Sequence, residues 1–227
     1  MILIIGANGF LGTHLQKLFL KKKVNFFPTD ITLKGKNYLD IKDFISINEV
    51  FKRNNIKSVI NCSCEPATSK SKNKLWNTNV LGNQNLIKAC EQFNVKKYIF
   101  ISTSAIWVKD YKISVQEDEQ YCPIENYGKS KVQAEKDIKN SNLLNWTIFR
   151  VPMIVSKERL GILSILFDLI LSNKKIPLLG SGKNILQFLH ANDLSNFIYL
   201  SLNVNEKNIY NIGSEEKISL KNLIEKL

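Results

Sequence analysis

The chain has 227 residues, 44% of them hydrophobic and 23% charged, which suits one large domain, or one domain with a small lobe, and excludes a disordered chain. Its formal net charge is +12, but the lysines are dispersed outside Lys21-Lys22-Lys23 and the run from Lys70 to Lys74, so a solvated basic surface is expected, with neither nucleic acid nor membrane as partner. The four cysteines Cys62, Cys64, Cys90 and Cys122 lack metal-ligand spacing and no secretory h-region is present, so reduced thiols, no metal and a cytoplasmic location are expected.

In chain order, short apolar runs at Ile2 to Ile5, Val24 to Phe27, Ser58 to Asn61, Tyr98 to Ser102 and Trp146 to Arg150 read as buried strands. Segments of helical period separate them: Phe10 to Leu20 carries Leu11, Leu15, Leu18 and Phe19 on one stripe, and Val80 to Phe93 carries Leu81, Leu86, Ile87 and Ala89. Strict alternation of strand and helix predicts an α/β fold, a doubly wound parallel sheet of Rossmann type with right-handed crossovers. Beyond Arg150 the pattern loosens into a helix near Gly161 to Ser172, a Gly/Pro/Lys-rich loop through Gly182, a helix beginning near Asp193, a short strand Ile209 to Ile212 and a last helix N-capped by Ser219. Residues 1–150 are thus expected to form the doubly wound core, and residues 151–227 a small lobe interleaved with the last core elements. Leu160 to Leu171 contains Asp168 and is too short to span a bilayer. Alternation along a strand would turn Cys62 and Cys64 to one face as small apolar fillers.

Gly6-Ala7-Asn8-Gly9-Phe10-Leu11-Gly12 follows the first strand at once and opens the first helix. In that context the backbone N–H groups and the helix N-terminus point at an incoming pyrophosphate. Gly6 suits the tight turn, Gly9 the close phosphate approach and Gly12 the contact of helix with strand. Asp30, at the end of the second strand, can accept from the adenosine ribose hydroxyls and repel a 2′-phosphate, which predicts NAD rather than NADP. Tyr127 and Lys131, four apart at the start of a helix, project from one face. A neighbouring ammonium favours phenolate, which would bring the tyrosine into range as a general acid/base.

With these three features in this order, the chain resembles the extended short-chain dehydrogenase/reductase family, the NAD-dependent epimerase/dehydratase group, over nearly its whole length. Further matching stretches are Tyr38-Leu39-Asp40-Ile41, Val59 to Cys64, Asn79 to Asn83, Ser102 to Trp107, Arg150-Val151-Pro152, His190 to Asp193 and Tyr210 to Gly213. The resemblance implies that Tyr127 is the acid/base, that Thr103 hydrogen-bonds the reacting oxygen, that Lys131 grips the nicotinamide ribose and lowers the tyrosine pKa, and that Asn79 supports the site. It implies cofactor contacts from Gly6, Asn8, Gly9, Phe10, Leu11, Gly12, Asp30, Asp40, Ile41, Cys62, Tyr127 and Lys131, and substrate contacts from Ser104 and Met153. The implied reaction is hydride exchange between a secondary carbinol of a nucleotide sugar, or a related carbohydrate, and NAD.

The pattern departs from the family at three places. Ser104-Ala105 stands where the family's sugar dehydratases carry Asp-Glu, which favours an epimerase or keto-reductase. Ile185-Leu186-Gln187-Phe188 stands where many members place an arginine on the substrate diphosphate, leaving Lys183 or Arg159 as substitutes. Val155-Ser156-Lys157 replaces Tyr-Gly-Pro. Members are commonly longer, so a reduced or incomplete substrate lobe is expected. The resemblance also implies a homodimer through a four-helix face built from Val80 to Phe93 and Tyr127 to Asn140. The alternative reading is a non-catalytic NAD(H)-binding module or redox-sensing subunit.

Overall fold

In the computed structural model, which describes residues 1–107, 114–176, 178 and 181–227, the expected strands join one six-stranded parallel sheet. Its members are β1 (Ile2–Ile5), β2 (Phe26–Thr29), β3 (Ser58–Asn61), β4 (Lys97–Thr103), β5 (Trp146–Val151) and β9 (Asn208–Asn211), in the order β2-β1-β3-β4-β5-β9. The chain winds outward from β1 to β2 and then returns to place β3 on the other side of β1. The strand ends beside that reversal form the crevice where doubly wound sheets bind ligands. Among the described residues the sheet continues beyond β2 as a single parallel bridge between Asp30 and Tyr38.

Residues alternate between two cores. Leu3, Ile5, Val59, Tyr98, Phe100 and Ile148 face one cluster, shared with α2 (Phe44–Arg53), α4 (Asn83–Gln92) and α5 (Asn126–Lys139). Ile4, Ile60, Ile99, Phe149 and Val151 face the other, shared with α1 (Phe10–Lys21) and α7 (Ala191–Ser201). A strand buried on both faces needs apolar residues at successive positions, which is why these runs read as continuous rather than alternating.

Several boundaries differ from the sequence expectation. Strand β2 starts two residues later than Val24, because α1 closes through Lys23 in a left-handed conformation (φ 54°) with Val24 N–H donating to the Phe19 carbonyl. Helix α2, N-capped by the Asp43 carboxylate on Ile45 N–H, was not foreseen. The helix expected from Val80 begins earlier, as α3 (Lys72–Trp76), and passes through a π-helical stretch, Asn77–Gly82, before α4. That wider turn shifts the register, so Val80 is buried while Leu81, expected on the inner stripe, is exposed.

After β5 the chain builds two small pairs, β6 (Met153–Val155) with β8 (Phe188–His190) and β7 (Ile185–Leu186) with β10 (Ile218–Ser219), together with α6 (Ile162–Leu171) and α8 (Leu220–Lys226). Ser219 caps α8 by accepting from Asn222 N–H. Pro177, Leu179 and Gly180 of the loop expected before Gly182 lie outside the described residues. Among the described residues no helix is long and apolar enough to cross a membrane.

Candidate active site

The glycine turn is shaped by close backbone packing. Gly6 has φ +77°, and a Cβ there would lie 2.8 Å from Ser63 N. At Gly12 a Cβ would fall 2.2 Å from the Gly6 carbonyl oxygen, so only glycine lets α1 start directly against the end of β1. A Cβ on Gly9 would meet the same oxygen at 3.0 Å. Helix α1 begins without a side-chain cap and with no acidic residue in its first turn, leaving its N–H groups to attract an anion. Asp30 is buried at the foot of this turn. Its carboxylate accepts from Asn8 N–H at 3.1 Å and from the Thr32 N–H and hydroxyl at 2.9 and 2.8 Å, and thereby ties the turn to β2.

Two adjoining cavities run along the strand ends and share Gly9, Cys62, Ser63 and Cys64. The smaller, about 290 Å³, is lined by Asp30, Asp40 and Ile41. The larger, about 560 Å³, is lined by Phe10, Leu11, Thr103, Ser104, Tyr127, Lys131 and Met153. Together they make a groove with the glycine turn at its middle, a carboxylate end and a tyrosine-lysine end. A separate hollow of about 440 Å³ at the open β2 edge, beside Lys36, Asp43, Glu49 and Arg53, contains none of the predicted site residues.

The tyrosine end is assembled by α5 packing on the turn after β4. Gly128 makes this possible, since a Cβ there would lie 2.4 Å from the Ala105 carbonyl. Thr103 closes β4 and its hydroxyl accepts from Ala105 N–H at 3.2 Å. Burial pushes the Tyr127 phenol well above its ordinary value, and the Cys64 thiol, 3.9 Å away, adds to the effect. The Thr103 hydroxyl and the Arg159 guanidinium pull it back. Lys131 is buried, donates to the Ile101 carbonyl at 2.8 Å and lies 4.5 Å over the Phe100 ring. Its charge acts on Cys62, whose thiol burial nevertheless pushes up to about 12.

Asn79 stands behind the groove, fully engaged. Its Oδ1 accepts from Glu65 N–H at 2.8 Å, while its amide donates to the Glu65 carbonyl and to Ser130 Oγ. It therefore fastens the 62–65 wall to α5. Strand β3 ends before the cysteines, so the two do not share a strand face: Cys62 packs against the second core, as expected of a filler, whereas Cys64 is exposed in the groove, which corrects that expectation for Cys64. All four cysteines are free. Lys183 is not brought to the groove; it is exposed in the segment before β7. Asn61 was missed by sequence reading. Buried at the end of β3, it accepts from Ser63 and donates to Asn83 and Tyr98, holding the cysteine loop in place. Only its position at a strand end gave a signal.

A doubly wound sheet with a glycine turn after β1, an acidic residue after β2 and a Tyr-x-x-x-Lys helix against the end of β4 defines a dinucleotide-fold protein of the short-chain dehydrogenase/reductase type. Residues 2–213 match the model of the NAD dependent epimerase/dehydratase family, and the chain belongs to that family. It is 25% identical to a putative UDP-glucose 4-epimerase of Methanocaldococcus jannaschii, covering 99% of this chain and 80% of that one. It is 26% identical to a dTDP-D-glucose 4,6-dehydratase of Dictyostelium discoideum, covering 96% and 59%, and to an uncharacterized protein of Sinorhizobium fredii, covering 98% and 58%. The chain thus spans from a little over half to four fifths of the length of these relatives. Among solved structures, a dTDP-4-dehydrorhamnose reductase from Clostridium acetobutylicum superposes with a TM-score of 0.87 at 22% identity, over 99% of this chain and 78% of that one. A UDP-glucose 4-epimerase from Thermotoga maritima, solved with UDP-glucose, gives 0.84 at 20% identity, over 99% and 80%. These superpositions establish the shared fold.

Proposed function

We propose that this chain is an NAD-dependent 4-epimerase or keto-reductase acting on a nucleotide sugar, with Tyr127 as general acid/base. The observation that carries this reading is the meeting of Thr103, Tyr127 and Lys131 in the cleft that also holds Gly9 and Phe10 of the glycine turn. The glycine cradle fits a dinucleotide, because each of its three glycines occupies space that a Cβ would take from the neighbouring backbone.

NAD, when bound, supplies the hydride acceptor and donor. Gly9 and the N–H groups at the start of α1 would hold its pyrophosphate, with Gly6 and Gly12 shaping that turn, Asp30 and Asp40 would meet its adenosine end, and Lys131 its nicotinamide ribose. Tyr127 takes the proton of a secondary hydroxyl at its phenol oxygen and returns it in the reverse step. Thr103 fixes the reacting oxygen by a hydrogen bond. Burial and Cys64 hold the phenol protonated, and the Arg159 guanidinium offsets them only in part, so its deprotonation calls for further positive charge, which Lys131 on the same helix face would supply. Ser104 and Ala105 bring no carboxyl next to Thr103, which favours epimerisation or reduction over elimination of water. Ser104 and Met153 line the substrate side, and a homodimer through α4 and α5 belongs to the same reading.

The test is to purify the protein, look for retained NAD(H), and present UDP-glucose and dTDP-4-keto sugars with and without added NADH. An inverted sugar without net NADH consumption identifies an epimerase; consumption identifies a reductase. Tyr127→Phe should lower turnover about 100- to 10,000-fold, and unchanged turnover would overturn the mechanism. Tight NAD binding without turnover on either class of sugar would instead favour a non-catalytic binding module.

A further inference from the structure

Tyr127 sits in the first turn of α5, which begins at Asn126 without a side-chain cap. The N–H groups of a first turn have no partners within the helix, and helix ends are where local opening costs least. An acid/base placed there needs a tie from outside the helix.

That tie closes on itself. The Ser130 hydroxyl donates to the Tyr127 carbonyl at 2.7 Å and accepts from Asn79 Nδ2 at 3.1 Å. The same amide donates to the Glu65 carbonyl at 3.2 Å, and Asn79 Oδ1 accepts from Glu65 N–H at 2.8 Å. The Glu65 carbonyl also accepts from the Cys64 thiol at 3.0 Å, and that sulfur lies 3.9 Å from the Tyr127 hydroxyl. The path leaves the tyrosine by its carbonyl and returns to its phenol, by way of α5, the π-helical stretch and the loop after β3. A serine bonded to a carbonyl one turn back is ordinary in a helix. Ser130 differs in being fully buried and in supplying the acceptor for a buried amide N–H. It lines neither cavity of the groove, so any effect on the chemistry passes through its neighbours.

We propose that Ser130 is a positioning residue for the reaction at Tyr127: through Asn79 it sets where the 64–65 loop, and with it the Cys64 thiol, stands against the phenol. The inference rests on the reading of Tyr127 as the general acid/base. Without the serine oxygen a buried Asn79 N–H loses its acceptor, and leaving such a donor unpaired is costly enough to turn the amide away and release its grip on Glu65. The Cys64 sulfur then leaves the phenol, and an influence that raises the phenol goes with it. The glycine turn and Asp30 belong to other elements and keep their own hydrogen bonds.

The test compares the wild type with Ser130→Ala, Ser130→Cys, Cys64→Ala and the double variant Ser130→Ala with Cys64→Ala. Turnover of UDP-glucose and of a dTDP-4-keto sugar is followed against pH, NAD+ is titrated, and hydrogen exchange is read at the Glu65 amide. Ser130→Ala should lower kcat about 10- to 100-fold while KM and NAD+ affinity stay close to the wild type. It should also move the rise of kcat/KM to lower pH and speed exchange at Glu65. Ser130→Cys fills similar space with a weak acceptor and should fall between the two, and it carries the comparison if Ser130→Ala does not fold. In the Cys64→Ala background, Ser130→Ala should leave the pH profile where Cys64→Ala alone puts it. Wild-type kcat and pH profile in Ser130→Ala, a loss of kcat with the profile unmoved, or an equal loss of NAD+ affinity would each overturn the inference alone. A folded wild type that turns over neither sugar would overturn the functional reading and the inference with it.

Discussion

The Arg150 guanidinium meets the Glu135 carboxylate at 2.8 Å, with the two side chains 1% and 0% exposed. Glu135 lies two turns beyond Tyr127 and one beyond Lys131 on α5, and Arg150 lies on β5. The same carboxylate accepts from Ser102 of β4 and from the Tyr121 hydroxyl, while Arg150 also donates to the Glu117 carbonyl and faces the Trp107 ring. One buried pair thus joins the tyrosine helix to the two strands whose ends line the cleft.

Breaking that pair from either side should be costly, because the remaining charge stays buried without its partner. Glu135→Leu or Arg150→Met should each lower stability by about 3–5 kcal/mol, whereas the double replacement Glu135→Leu with Arg150→Met should lose clearly less than the sum. Urea unfolding of the four proteins checks the cycle.

Tyr127 is predicted to set the pH dependence of proton abstraction. Its phenol is raised by burial and by Cys64, so activity in the oxidising direction should climb with pH as the proton is lost. Cys64→Ala removes one of the raising influences and should move that climb to lower pH. Profiles of kcat/KM for the two proteins check the shift, and coincident profiles would rule out the thiol's influence.

The glycine turn tolerates no side chain at its inner positions. Gly12→Ala drives a Cβ into the Gly6 carbonyl and should cost about 1–3 kcal/mol of stability through overpacking, together with most of the affinity for NAD+. Asp30→Ala should weaken NAD+ binding and narrow the preference over NADP+, since the carboxylate that repels a 2′-phosphate is gone. Thermal unfolding and cofactor titration separate the two effects.

Lys97 gives a pH signature of stability away from the site. It is buried at the start of β4, its ammonium donates to the Val204 and Glu206 carbonyls, and burial lowers its pKa to about 8. Below about pH 8 the folded and unfolded chains both carry the proton and the penalty for the buried charge is present in full. Between about 8 and the unfolded lysine value of about 10.4 the folded state sheds the proton first, so this contribution rises with pH. Against Lys97→Met, the wild-type Tm should therefore gain ground across that window.

The amino-acid sequence by itself determined the sheet and the glycine turn. Strand and helix periods act over a few residues, and a glycine turn after a strand is a local backbone requirement, so Gly6, Gly12 and the β1–α1 unit are legible without any distant contact. The spacing of Tyr127 and Lys131 was legible for the same reason. What the tertiary structure decided lies wherever a residue's surroundings come from far along the chain. Lys131 donates to Ile101, Asn79 fastens the 65 loop to α5, and Cys64 faces a tyrosine 63 residues away. The π-helical stretch that turned Leu81 outward has no periodic signature, because its register reflects packing against α5 and Ile41. Lys183 and Arg159 looked equivalent as cations in sequence. Only the fold set Arg159 over the Phe10 ring on the wall of the cleft and left Lys183 away from it.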